Sequence, residues 1–113
     1  MLTPSERFEK SITKDNLWLY IFILLKKNEL YPYEIREAIK TEFGFLSGKM
    51  TAYVVLKKLE SGGYVKVLKK DQGKGPERTF YKISEKGINE LNKAKELYKN
   101  IGNFLEIGND ISK

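Results

Sequence analysis

The chain has 113 residues, 41% of them hydrophobic and 32% charged, with a net charge of +6 and neither cysteine nor histidine. That length makes one domain, able to bury about two-thirds of its unfolded surface. Without Cys or His there is no disulfide framework, no thiolate zinc site and no Ser-His or Cys-His nucleophile pair, and no lysine or carboxylate cluster favours catalysis, so the chain does not read as an enzyme.

The first helix signal is Thr3-Pro4-Ser5-Glu6. Thr3 suits the N-cap, Pro4 the first helical position, and Glu6 the third residue of a capping box, for a short helix ending near Ile12. Thr13 or Asp15 then opens a second helix through Lys27. Its apolar run, LWLYIFILL at 17–25, is far short of the about 20 residues that cross a bilayer. Charged residues follow it instead of a small-residue cleavage site. It therefore reads as a buried helix, with cytoplasmic residence as the default. Its apolar residues cover nearly the whole circumference, so it needs cover on several sides, more than a single protomer of this size is expected to supply.

A third helix has Pro32 near its start and Gly44 just past its end, with Ile35, Ile39 and Phe43 on the inward face. Ser47 can cap a fourth helix that runs to about Ser61, where Gly62-Gly63 stops it. Two helices separated by a short turn make a helix-turn-helix candidate. The segments YVKVLKK (64–70) and RTFYKIS (78–84) alternate and are rich in β-branched and aromatic residues, and DQGKGPE between them is turn chemistry. They predict a β-hairpin with a longish loop. From Glu85 a long helix follows, in which Leu91, Ala94, Tyr98, Ile101 and Leu105 repeat in the a/d pattern of a coiled-coil seam. Gly102 within it costs about 1 kcal/mol relative to Ala and points to a kink or a close helix crossing. The expected fold is α+β, mainly α. It comprises an N-terminal helical extension (1–14), a winged helix-turn-helix (15–84) and a long C-terminal dimerisation helix (85–113).

The surplus charge is not evenly spread. Basic and acidic residues balance in 1–25, in 26–46 and in 84–113, so the whole excess lies between Ser47 and Ile83. A single electropositive face for a polyanion is the physical reading of that concentration. On the fourth helix, Ala52, Val55, Leu56 and Leu59 share the inward side. The other side presents Lys49, Met50, Thr51, Tyr53, Val54 and Lys57, in a helix that fits the major groove of B-DNA, about 12 Å wide. Lysines and the Tyr53 hydroxyl can meet phosphates, and Met50 or Val54 a thymine methyl. Lys69, Lys70, Lys74 and Arg78 of the hairpin would face phosphates on either side of that helix. Gly73 and Gly75 keep the tip slim, and Pro76 limits its freedom. The Gly-Lys-Gly tip lacks the spacing of a nucleotide-binding loop. Each phosphate contact releases counterions, so affinity should fall steeply with salt.

Three stretches resemble the PadR family of winged-helix transcriptional regulators. YPYEIREAI (31–39) is similar to its His-Gly-Tyr-Glu-Ile stretch through Tyr33, Glu34 and Ile35. TAYVVLKKLESGGYV (51–65) is similar to Thr-Leu-Tyr-Pro-x-Leu-x-Arg-Leu-Glu-x-x-Gly through Thr51, Tyr53, Leu56, Leu59, Glu60 and Gly63. GPERTFYKISEKG (75–87) is similar to the wing and the start of the next helix through Arg78, Tyr81 and Gly87. Met50 and Val54 stand where the family has Gly and Pro, and Tyr31-Pro32 where it has His-Gly. These departures bear on the operator sequence.

The resemblance implies a sequence-specific regulator of double-stranded DNA, typically a repressor. It also implies a homodimer held by the first core helix, with Trp18, and by the C-terminal helix. Some relatives sense aromatic or cationic small molecules at the dimer interface, and Trp18, Tyr98 and Phe104 are candidate lining for such a pocket, although aromatics at helical spacing also serve as plain core. Two other readings of the basic face stay open. One is an architectural protein that binds DNA without sequence preference. The other is an interaction module for an acidic protein partner. No cofactor or metal is implied.

Overall fold

The computed structural model describes residues 1–70 and 78–108, apart from the side chain of Lys70. Five helices and one hairpin follow in the order α1 (Pro4–Ile12), α2 (Leu17–Lys27), α3 (Pro32–Ala38), α4 (Lys49–Ser61), β1 (Val65–Lys70), β2 (Arg78–Ile83) and α5 (Glu85–Phe104). This is the winged helix-turn-helix with helical additions at both ends. Among the described residues no helix is long and apolar enough to cross a membrane.

Helix α1 is set by its capping box: the Glu6 N–H donates to Thr3 Oγ1 at 3.2 Å, and the Thr3 N–H donates to Glu6 Oε1 at 2.8 Å. No residue of α1 is buried, so it adds little to the core. The junction with α2 departs from expectation. Neither Thr13 nor Asp15 opens α2, because both are committed backwards: the Thr13 hydroxyl donates to the Glu9 carbonyl at 2.7 Å, and Asp15 pairs with Lys10 at 3.0 Å. A short 3-10 turn over Lys14–Asn16 makes the connection. The Tyr20 hydroxyl donates to the Ile12 carbonyl and ties the turn down.

Helix α2 is the axis of the domain. Leu17, Leu19, Ile21, Phe22, Leu24 and Leu25 are buried, and Trp18, Tyr20 and Ile23 are half-buried. α3, α4, β2 and α5 all pack around it. The expectation that one protomer cannot cover this helix is therefore corrected. A central helix with neighbours on four sides can be apolar nearly all round, and its burial removes a large apolar area from water.

Helix α3 begins with Pro32 and continues into a π-helical turn, Ile39–Phe43, that stops at Gly44 with φ +78°. Ile35 and Ile39 are fully buried beneath it. The next start corrects another expectation. Gly48, in extended conformation, occupies the N-cap of α4, while the hydroxyl of Ser47 is buried with no partner among the described residues. Helix α4 ends as anticipated. The Gly63 N–H bonds the Glu60 carbonyl, the Tyr64 N–H bonds the Leu59 carbonyl, both at 2.9 Å, and Gly63 takes φ +80°. That pair of bonds is the Schellman motif, which needs a left-handed residue.

Strands β1 and β2 pair antiparallel with Val65 opposite Ile83, Val67 opposite Tyr81 and Lys69 opposite Thr79. Leu30 adds a bridge to the far edge of β2 through two hydrogen bonds with Tyr81, of 2.8 and 3.2 Å. The face with Val65 and Tyr81 lies on the core.

Helix α5 starts at Ser84, whose Oγ accepts from the Gly87 N–H at 3.1 Å. At its far end Gly102 meets no crossing helix among the described residues. The nearest atom to a Cβ there is that of Ile107 at 3.9 Å, where the chain folds back.

Candidate nucleic-acid interface

The outward face of α4 follows from its inward one. Ala52 and Leu56 are 1% and 0% exposed and fix the rotation of the helix. Met50, Tyr53 and Val54 consequently stand out at 69%, 45% and 44% exposure, with Lys49, Thr51 and Lys58 also exposed around them. Exposing three large apolar or aromatic side chains on one helix face is costly unless something covers them. Cations beside them suit a partner with both apolar and anionic features.

The carbonyls of Gly62 and Gly63, just past α4, are held by the start of α5. Ser84 Oγ donates to the Gly63 carbonyl at 2.6 Å, and Lys86 Nζ donates to the Gly62 carbonyl at 2.7 Å. The angle at which α4 projects is thereby tied to α5. Neither Ser84 nor Lys86 was picked out by sequence reasoning. The readable signal was the serine three residues before Gly87, a cap pattern.

Lys57 is exposed but has partners within the protomer. Its ammonium lies 5.4 Å from the centre of the Tyr53 ring and 3.7 Å from Glu60 Oε1. It also lies beside the phenol of Tyr81, the largest of the influences that hold its pKa above the ordinary lysine value, followed by Tyr53 and Glu60. Burial pushes the Tyr81 phenol up in turn, and Lys57 partly offsets that. Lys57 thus bridges the exposed edge of α4 and the buried strand β2.

On the hairpin the pairing register sets like charges opposite one another: Lys66 faces Lys82, and Lys70 faces Arg78. Directly opposed like charges destabilise a sheet in isolation. They also build a positive potential that an anion would relieve. Lys69 falls on the other face, donating to Thr79 Oγ1 at 3.1 Å. Arg78, exposed at the start of β2, lies over the ring of Tyr31 with Cζ 4.5 Å from its centre. Lys74, the glycines and proline of the hairpin tip, and the side chain of Lys70 lie outside the described residues.

The seam residues divide. Leu91 packs against the domain's own core and Ala94 is buried at 7%, whereas Tyr98, Ile101 and Leu105 are 43%, 45% and 61% exposed. Trp18 is half-buried, edge-on to Phe22 at 5.3 Å. Trp18, Tyr98, Ile101 and Leu105 line one open groove of about 440 Å³, together with Phe8 from α1. Phe104 is outside that lining and stands exposed.

The profile of the Transcriptional regulator PadR-like family matches residues 21–93. No curated protein matches the chain significantly. Among solved structures, a PadR family transcription regulator from Clostridium difficile R20291 is 27% identical with a TM-score of 0.72, over 79% of this chain and 93% of that one. Bacillus subtilis PadR, in complex with operator DNA, is 32% identical with a TM-score of 0.63 over 68% of this chain. The match spans 44% of that longer protein. A PadR-like transcription factor from Bacteroides fragilis shares the fold at 23% identity, with a TM-score of 0.74, over 88% of this chain and 96% of that one.

Proposed function

The chain belongs to the PadR-like family of transcriptional regulators, and from that premise we propose that it is a repressor acting as a homodimer on double-stranded DNA of defined sequence. The observation that carries the reading is the outward face of α4, where Met50, Tyr53 and Val54 stand exposed among Lys49, Thr51 and Lys58. In a major groove the lysines meet phosphates or guanine acceptors, and Val54 and Met50 meet thymine methyls. The opposed cations of the hairpin, with Lys69 and Lys74, then lie along the flanking backbone or minor groove. Likeness to a regulator captured on operator DNA supports this arrangement.

The dimer rests on the outer half of α5. Tyr98, Ile101 and Leu105 are left 43%, 45% and 61% exposed among the described residues, and a second copy supplies the cover. The groove they share with Trp18 is also where a small aromatic effector would sit between protomers.

Selection of bound sites from a random duplex library tests the reading. A palindromic consensus is expected, with half-sites about 34 Å apart, one turn of the duplex. Equal affinity for every duplex at physiological salt would make the protein an architectural binder. Absence of duplex binding even at low salt would leave an interaction module for an acidic protein.

A further inference from the structure

We propose that Tyr31 is a positioning residue for DNA binding: its ring holds the guanidinium of Arg78 at the loop end of the wing's strand pair, so that the arginine meets phosphate already ordered. The inference rests on the DNA-binding reading above and deepens it, because Tyr31 is on the other side of the helix-turn-helix from the hairpin in sequence.

Tyr31 is itself fixed from several directions. It precedes Pro32, which biases it to extended backbone, and it has φ −99° and ψ 163°. Extended backbone is what lets Leu30 bridge β2 at Tyr81, and the alternation of the bridge then puts Tyr31 on the same outer face as Phe80. The two rings meet edge-on at 5.4 Å. The Tyr31 N–H donates to Glu34 Oε1 at 3.2 Å, anchoring it to the first turn of α3. An aromatic platform joined to both α3 and the wing is therefore in place before any ligand arrives. Arg78 lies on it, 4.5 Å from ring centre to Cζ.

Stacking uses the flat face of a guanidinium and leaves its in-plane N–H donors for a phosphate fork. A free arginine would lose its rotamer freedom on binding, whereas this one has lost it beforehand. Lysine at position 78 would lack the flat face that this platform holds.

The experiment is a binding titration on a mixed-sequence duplex across a salt series, for wild type, Tyr31→Phe, Tyr31→Leu, Arg78→Ala, Arg78→Lys and the Tyr31→Leu/Arg78→Ala double variant, each checked for wild-type helicity. Arg78→Ala is expected to weaken binding and to lower the log-log salt slope by about one unit per bound protomer. Tyr31→Leu is expected to weaken binding by about three- to tenfold for each bound protomer, the cost of ordering one long side chain, with the salt slope kept, since the charge is still there. Tyr31→Phe retains wild-type affinity. In the Arg78→Ala background, Tyr31→Leu adds nothing.

Should Tyr31→Leu fail to fold, Arg78→Lys carries the test, with the slope kept and affinity reduced by a similar factor. Wild-type affinity for Tyr31→Leu or for Arg78→Lys overturns the proposal. So does a loss from Tyr31→Leu that persists without Arg78. In those cases wild type still binds duplex and the DNA-binding reading stands. Only a wild type that binds no duplex at low salt removes that reading.

Discussion

Gly87 sits where three parts of the chain converge. A Cβ added there would lie 2.3 Å from the Tyr64 carbonyl oxygen and 2.7 Å from Ile83 Cγ1. The first of these is backbone at the end of α4 and cannot swing aside. Gly87→Ala should therefore destabilise the fold by about 2 kcal/mol or more, read as a lower urea midpoint, in spite of alanine's better helix propensity. Glu106 presents the reverse case. It has φ +63° and closes α5 with a second Schellman motif, in which the Ile107 N–H bonds the Gly102 carbonyl at 2.8 Å and the Glu106 N–H bonds the Asn103 carbonyl at 3.1 Å. A left-handed conformation costs a non-glycine residue about 1 kcal/mol. Glu106→Gly should raise the urea midpoint by a corresponding amount, and an unchanged or lower midpoint would show that the Glu106 side chain matters more than its backbone.

At the scale of elements, the junction of α4 with the wing depends on groups that titrate in alkali. The Tyr81 phenol is pushed up by burial, and the Lys57 ammonium is pushed up chiefly by that phenol. A group whose pKa is higher folded than unfolded gives stability that is complete below its unfolded value and is lost as pH rises through the folded one. Both shifts therefore point the same way, and stability should decline as pH climbs above about 10. Tyr81→Phe removes one of the two groups, and its stability should fall less steeply in the same alkaline range, as followed by thermal melts. A decline of equal steepness would assign the alkaline transition to other groups. The same junction ties α4 to the elements that follow it in the chain. Ser84 and Lys86 take up the Gly63 and Gly62 carbonyls just past α4, and Lys57 leans on Tyr81 across the gap.

The molecule as a whole is longer than its length requires. Its radius of gyration is 16.4 Å and it measures 58 × 35 × 25 Å, against about 13 Å for a compact chain of this size. The outer half of α5 carries exposed Leu97, Tyr98, Ile101, Phe104 and Leu105, an apolar patch of the kind that marks an interface. Charged substitutions should separate the two halves of the seam. Ile101→Asp with Leu105→Asp should give folded monomers by light scattering and circular dichroism, because neither side chain supports the protomer core. Leu91→Asp should unfold the chain, because Leu91 packs on that core. A folded dimer from the Ile101/Leu105 variant would place the interface elsewhere.

The sequence by itself determined the order of elements, the stops at Gly44 and Gly62-Gly63, the cap of α1 and the concentration of charge between Ser47 and Ile83. These depend on spacing and local propensity, which neighbours in the chain decide among themselves. Caps were legible where the side chain had no better offer, as at Thr3, and illegible at Thr13, Asp15 and Ser47, whose hydrogen bonds or burial come from the surrounding fold. A 3.5-residue stripe announces an apolar face without saying which end meets the chain's own core, so only the packing of α2 against α5 divided Leu91 and Ala94 from Ile101 and Leu105. The partners of Lys57 and Arg78 lie on other elements, and tertiary structure alone brought Tyr81 to the one and Tyr31 to the other.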